Sequence, residues 1–285
     1  MALTATAFFS RPEGEISARA EEDFFRSIRV RTNTTKQTVS GRLGSLDSAL
    51  IAYARRTSTP INNVLDVGVS TGVTTRELYD ALCASGYSPS VVGTDLMLEA
   101  AILALNSYCK VLTGVDGKVL QYDVLGKAVR PWISRRDYFT GMVLVRSMMR
   151  AWSASKIRAS LTREREPAQR VLLVSPKALN CTGITLMEDD LLARNGAFAA
   201  RFDAIRAANI IGLNYFPKET ICAALNNLAS YLSGPGSLLM VGRTRDRENH
   251  GTLYELDRQY RLNPVLRVGR GSEIEDLVTG VRPRG

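Results

Sequence analysis

Histidine is almost absent from this 285-residue chain, which has His250 alone, and none of its four cysteines, Cys83, Cys109, Cys181 and Cys222, forms a C-x-x-C pair. Too few donors are therefore available at the usual spacings to build a zinc site. Scattered thiols point to reduced cysteines and a cytoplasmic location. Long hydrophobic runs are also missing, and nothing approaches the ~20 apolar residues of a membrane-spanning helix. The opening MALTATAFF has no basic lead and is cut short by Arg11, Pro12 and Glu13, so no secretion signal is expected. Internal repeats and low-complexity tracts are lacking too. What the chain does have is 45% hydrophobic residues. That suffices for a sizeable core in one large α/β domain with an elaboration, or in two small domains.

Charge is unevenly distributed. Between Lys127 and Arg170 eleven lysines and arginines face only Asp137, Glu164 and Glu166, a net +8 out of +9 for the whole chain. Both tryptophans, Trp132 and Trp152, fall in the same span. Within it, Tyr138, Met142, Val145, Met149 and Trp152 recur at helical spacing, with Arg146, Arg150, Lys156 and Arg158 among or opposite them. Packing as a basic subdomain or acceptor lid is one reading of this stripe. Docking of residues 130–165 on an anionic membrane surface is another, making the protein cytoplasmic and peripherally membrane-associated. Nucleic acid is disfavoured, because no aromatic stacking platform is evident.

Along the chain, residues 1–60 read as a helical leader. The INNVLDV run then reads as a buried parallel strand, and VTTRELYDALCAS after it as a helix. SVVGTDL reads as the second strand and LEAAILALNSYCK as a second helix. VLTGVDGKVLQYDV has the pattern of a hairpin, followed by a basic helix to about Leu161. A return to the sheet is expected at QRVLLVSP and GITLMEDDLL. RFDAIRAANII and PGSLLMVGRT give two more strands, with the KETICAALNNLASYL helix between them, and two extended pieces and a short helix or turn follow. Strands alternating with helices imply an α/β fold with a doubly wound, mostly parallel sheet. The expected organisation is a leader over 1–60 and one domain over 61–285 with an insertion at about 110–170.

The most informative stretch is Asp66-Val67-Gly68-Val69-Ser70-Thr71-Gly72, a strand breaking into a glycine-spaced turn and then a helix. Its glycines let the backbone turn tightly and approach a ligand, and the new helix offers free N–H groups. A dinucleotide site would carry G-x-G-x-x-G, and an acid two residues before the first glycine would sit badly beside a pyrophosphate. The D-x-G-x-S-x-G pattern instead resembles the first motif of class I S-adenosylmethionine-dependent methyltransferases, with Ser70 where the family usually has glycine. The fourth-motif region, RFDAIRAANIIGLNYF, is similar to the chemotaxis-receptor type. The resemblance covers roughly residues 62–106 and 180–243, and implies a Rossmann-like fold with an antiparallel hairpin closing the sheet.

That resemblance assigns cofactor contacts to Asp66, Gly68, Ser70 and Gly72, with Asp66 facing the ammonium of the methionine part. Asp95, followed by Leu96, would hold the ribose hydroxyls from the end of its strand. Either Asp189 or Asp190, with Leu191 behind them, would receive the adenine, and Asn209 would orient the methionine part or the acceptor. A base is needed only if the acceptor keeps a proton; His250, Tyr215 and Tyr254 are the candidates. The implied activity is methyl transfer to an O or N acceptor, anionic or membrane-associated. Its alternatives are a non-enzymatic S-adenosylmethionine-binding or membrane-docking protein of the same fold, and a nicotinamide-dependent oxidoreductase.

Overall fold

The computed structural model describes residues 3–29, 36, 39–162 and 169–281. The chain divides into two compact units, one of Met1–Gln37 with Met97–Leu173 and the other of Thr38–Leu96 with Val174–Gly285. The expected leader is therefore split, its first part joining unit 1 and its last helix unit 2. The elaboration opens at Met97, earlier than its charge signature suggests.

Unit 2 is built on an open seven-stranded sheet. Its strands are β1 (Asn63–Val67), β2 (Ser90–Asp95), β8 (Ile184–Glu188), β9 (Ala204–Ala208), β10 (Leu238–Arg245), β11 (Glu248–Leu256) and β12 (Leu262–Val268). They lie in the order β12-β11-β10-β9-β1-β2-β8. Five neighbours, β10-β9-β1-β2-β8, run parallel, and β11 is antiparallel to both β10 and β12. This is the expected Rossmann-like α/β sheet with its antiparallel closing strand.

Because side chains alternate along a strand, each central strand buries apolar side chains on both faces. Leu65, Val67, Ile205, Ala207, Leu239 and Val241 pack with helices α8 (Lys218–Tyr231) and α9 (Glu275–Thr279). On the opposite face Val64, Val91, Ala204, Leu238 and Met240 pack with α3 (Gly44–Thr57) and α4 (Val73–Ala84).

Unit 1 is a five-stranded antiparallel sheet in the order β6-β5-β4-β3-β7. Its strands are β3 (Glu99–Asn106), β4 (Cys109–Gly114), β5 (Val119–Val124), β6 (Lys127–Val129) and β7 (Gln169–Leu172). The expected hairpin is present as β4–β5. LEAAILALNSYCK, expected to be helical, instead forms β3. Ala100 and Ile102 bury against α1 (Ala5–Phe9) and α2 (Ala18–Arg26), while Ala101, Leu103 and Leu105 bury on the other face. Burial on both faces overrides the helix propensity of alanine and leucine, and a short apolar run cannot by itself separate the two outcomes. QRVLLVSP is also corrected: β7 pairs antiparallel with β3 rather than rejoining the parallel sheet, and the chain returns through the short helix α7 (Pro176–Leu179) to β8.

The basic helix is present as α6 (Met142–Thr162), preceded by α5 (Arg135–Phe139). Its buried side differs from the expected stripe. Arg146, Ser153 and Ile157 are buried, with Met149 partly so, whereas Tyr138, Val145 and Trp152 are exposed. Polar anchors decide the rotation of the helix. Arg146 forms an ion pair with Asp137 at 3.3 Å, and the Ser153 hydroxyl meets the Tyr122 hydroxyl at 2.9 Å.

Candidate functional site

In unit 2 the strand order reverses at β1: β2 and β8 lie to one side, β9 and β10 to the other. In open α/β sheets the crevice at such a reversal, beyond the carboxyl ends of the strands, is where ligands bind. The glycine turn of residues 68–72 occupies that place, between β1 and α4. Gly68 and Gly72 have φ of 77° and 75°, and Ser70, which stands where the motif it resembles has its middle glycine, has φ 56°. The turn is pinned to the neighbouring strand, since Gly68 N–H and Val69 N–H both donate to the Thr94 carbonyl, at 2.7 and 3.0 Å. Helix α4 starts directly after Gly72, with no side chain capping it.

Asp95 gathers the predicted site. Its Oδ2 accepts the Ser70 N–H at 2.7 Å, and its carbonyl accepts the Asp189 N–H at 3.0 Å. Ser70, Asp95 and Asp189 are thus neighbours at the ends of β1, β2 and β8. Asp189 also accepts from the Asn195 amide at 2.8 Å. Asp190, in contrast, is exposed and caps its own turn by accepting the Leu192 N–H. Leu96 is exposed, and Leu191 packs against the α8 side of the core.

Asp66 does not face a ligand. Its parity along β1 turns it toward α3 and α4, where it is buried beside its register partner Arg206 of β9. Arg206 Nε and Nη2 donate to the two Asp66 oxygens at 2.9 and 2.7 Å. Thr75 of α4 donates to the same carboxylate at 2.6 Å. Arg206 also reaches Asp47 of α3 at 2.7 Å and the Thr74 carbonyl at 2.9 Å. The expected contact with an ammonium group is therefore replaced by a buried Asp47–Arg206–Asp66 triad that clamps two helices to two strands. Burial opposes the Arg206 charge, but Asp66 and Asp47 together hold it above its ordinary value. Burial also pushes the Asp47 carboxyl up to about 6, with Arg206 working against the rise. The sequence signal for this triad was an arginine inside the apolar strand AIRAA, on the same face as Asp66.

Asn209 is likewise structural. It follows β9 with φ 63°, its side-chain oxygen accepts the Thr244 N–H at 2.7 Å, and its own N–H donates to the Gly242 carbonyl at 2.9 Å. It ties the end of β9 to β10. Above the glycine turn, a Cβ added at Gly68 would overlap Ile210 Cγ2.

Two of the three candidate bases are packed away. His250 is buried in β11, and its Nδ1 accepts the Arg270 N–H at 3.0 Å. In the neutral ring the proton then sits on Nε2, leaving no free acceptor nitrogen. Tyr254 is fully buried in the core, and burial raises its hydroxyl above the ordinary value. Tyr215 is exposed in the loop after β9. Arg243, which the motif reading missed, lies 5.7 Å from the Tyr215 ring and pairs with Glu273 at 2.6 Å. Glu273 also accepts the Leu213 N–H, so it holds this loop at the end of β10.

A separate cavity of about 400 Å³ opens within unit 1, lined by Arg29, Lys118, Trp132, Arg150 and Ile157 among others. It contains none of the residues that the motifs single out. Among the described residues no cluster of three metal-ligating side chains is present.

No protein-family model and no curated protein matches the chain. Among solved structures it is similar to the N-methyltransferase NodS from Bradyrhizobium japonicum in complex with S-adenosyl-L-homocysteine, at 15% identity over 73% of this chain and 64% of that one, TM-score 0.33. It is similar to the citrinin polyketide synthase CMeT domain at 12% identity over 79% of this chain and 39% of that one, TM-score 0.35. It is also similar to an O-methyltransferase family protein from Burkholderia thailandensis, at 9% identity over 86% and 46%, TM-score 0.31. The chain thus spans less than two thirds of the length of each of these proteins.

Proposed function

We propose that the carboxyl edge of the unit 2 sheet binds S-adenosylmethionine and that the chain transfers its methyl group to an oxygen or nitrogen acceptor. The observation that carries this reading is the place of the glycine turn: it leads into the uncapped start of α4 at the strand-order reversal, with Asp95 beside it on β2. An uncapped helix start suits the carboxylate of an amino acid. A half-buried carboxylate at a strand end suits the two hydroxyls of a ribose. Asp189, bonded through its N–H to Asp95, suits the adenine side better than the exposed Asp190.

When bound, S-adenosylmethionine would supply a methyl carbon made electrophilic by its sulfonium, open to in-line attack by an acceptor lone pair with the neutral thioether as leaving group. The turn and Asp95 would align the reactants, and alignment alone accounts for much of such a rate. Tyr215 is the candidate base, for an acceptor that must lose a proton.

Asp66 no longer weighs against a dinucleotide, because its carboxylate points under α3 and α4 rather than at the turn. Calorimetric titration with S-adenosylmethionine, S-adenosylhomocysteine and NAD separates these ligands. The expected result is binding of the first two but not of NAD, weakened about 10- to 100-fold in Asp95→Asn by loss of charged hydrogen bonds. Binding of NAD alone, or unchanged affinity in Asp95→Asn, overturns the reading. Bound cofactor without S-adenosylhomocysteine formation across offered acceptors would mark the non-enzymatic alternative.

A further inference from the structure

The outward face of α6, together with the end of α5 that precedes it, is largely apolar. Phe139 is 90% exposed, Met148 72% and Leu144 71%, and Tyr138, Val145 and Trp152 are exposed beside them. On the helix, Leu144, Met148, Ala151, Ser155 and Ala159 follow one another at intervals of four and three residues and are all exposed, so they share one side, and none of them is charged. The anchoring side of Arg146, Ser153 and Ile157 lies opposite. Six of the eighteen large exposed hydrophobics of the described chain fall within residues 138–152.

Charge selects what covers this face. No carboxylate occurs from Tyr138 to Arg163, and residues 127–170 carry a net +8. Lys156 and Arg158 flank the apolar stripe, the Lys156 ammonium donating one hydrogen bond to the Leu105 carbonyl at 3.2 Å and lying 4.7 Å from the Trp152 ring centroid. A second copy would bring like charge against like charge. Nucleic acid would neutralise the cations but leave the leucine and methionine side chains in water. A surface that is anionic outside and apolar just beneath satisfies both. No helix among the described residues is long and apolar enough to cross a membrane, so α6 would lie in the interfacial plane.

We infer that α6 docks the protein on an anionic phospholipid surface, its Leu144–Met148–Trp152 side entering the headgroup boundary and Lys156 and Arg158 meeting lipid phosphates. This inference does not depend on the methyl-transfer reading. The test is sedimentation of the full chain with phosphatidylcholine vesicles, with and without phosphatidylglycerol, and with a DNA duplex as competitor. Two variants are compared, Leu144→Glu/Met148→Glu and Lys156→Gln/Arg158→Gln, each checked by its far-ultraviolet melting curve. Both positions of the first variant are highly exposed, so its fold should survive. Wild type is expected to bind the anionic vesicles about tenfold or more tightly than the neutral ones, with a blue shift of tryptophan emission, and each variant to lose about tenfold. Equal binding to both vesicle types, unchanged binding by the first variant, or preference for the duplex would each overturn the inference.

Discussion

At the scale of single residues, the candidate site is held by small side chains and tight packing. Gly68 serves two demands together, a left-handed backbone and the close approach of Ile210. Gly68→Ala is expected to cost about 2–4 kcal/mol, from overpacking and backbone strain combined. The cost should fall when the obstacle is removed: Gly68→Ala/Ile210→Ala should be more stable than the sum of the two single changes by about 1 kcal/mol, read from urea unfolding. An additive result would show that Ile210 is not the neighbour that excludes a Cβ. His250 and Tyr254 illustrate the limit of residue type as evidence. Both have the chemistry of a base, and both are removed from that role by where β11 buries them.

At the scale of elements, the Asp47–Arg206–Asp66 triad joins α3, α4, β1 and β9. Arg206→Met would leave two carboxylates facing each other out of water, an expected loss of about 3–5 kcal/mol in urea unfolding. Asp66 variants would therefore report on folding, which is why Asp95 is the residue to alter in a binding experiment. The triad also shapes the pH dependence. The folded-state value of Asp47 is raised to about 6 from 3.8, so between about pH 4 and 6 the folded chain holds a proton that the unfolded chain releases. Its contribution is present at the acid end of that window and is lost as pH rises through it. From pH 4 to 6 the wild type should lose stability relative to Asp47→Asn. The opposite trend would show that Arg206 outweighs burial at this carboxylate.

At the scale of the whole molecule, two units with separate cores share one chain. Calorimetry is expected to show two unfolding transitions. S-adenosylmethionine at about 100 times its dissociation constant should raise only the transition of unit 2, by roughly 5–10 °C. A shift of the unit 1 transition instead would move the proposed site off the parallel sheet.

The sequence by itself determined the βα turn at 64–84, the strands at 90–95, 184–188 and 204–208, and the helix at 218–231, because each pairs a clear hydrophobic period with a turn or cap. It determined Asp95 as a strand-end acid for the same local reason. Only the tertiary structure decided which way Asp66 points, that 99–106 is a strand, and which side of α6 is left in water. Those outcomes depend on partners distant in sequence: Arg206 opposite Asp66, two layers enclosing β3, and Asp137 and Tyr122 anchoring α6. A local pattern specifies periodicity, but the face that it buries is chosen by what arrives from elsewhere in the chain.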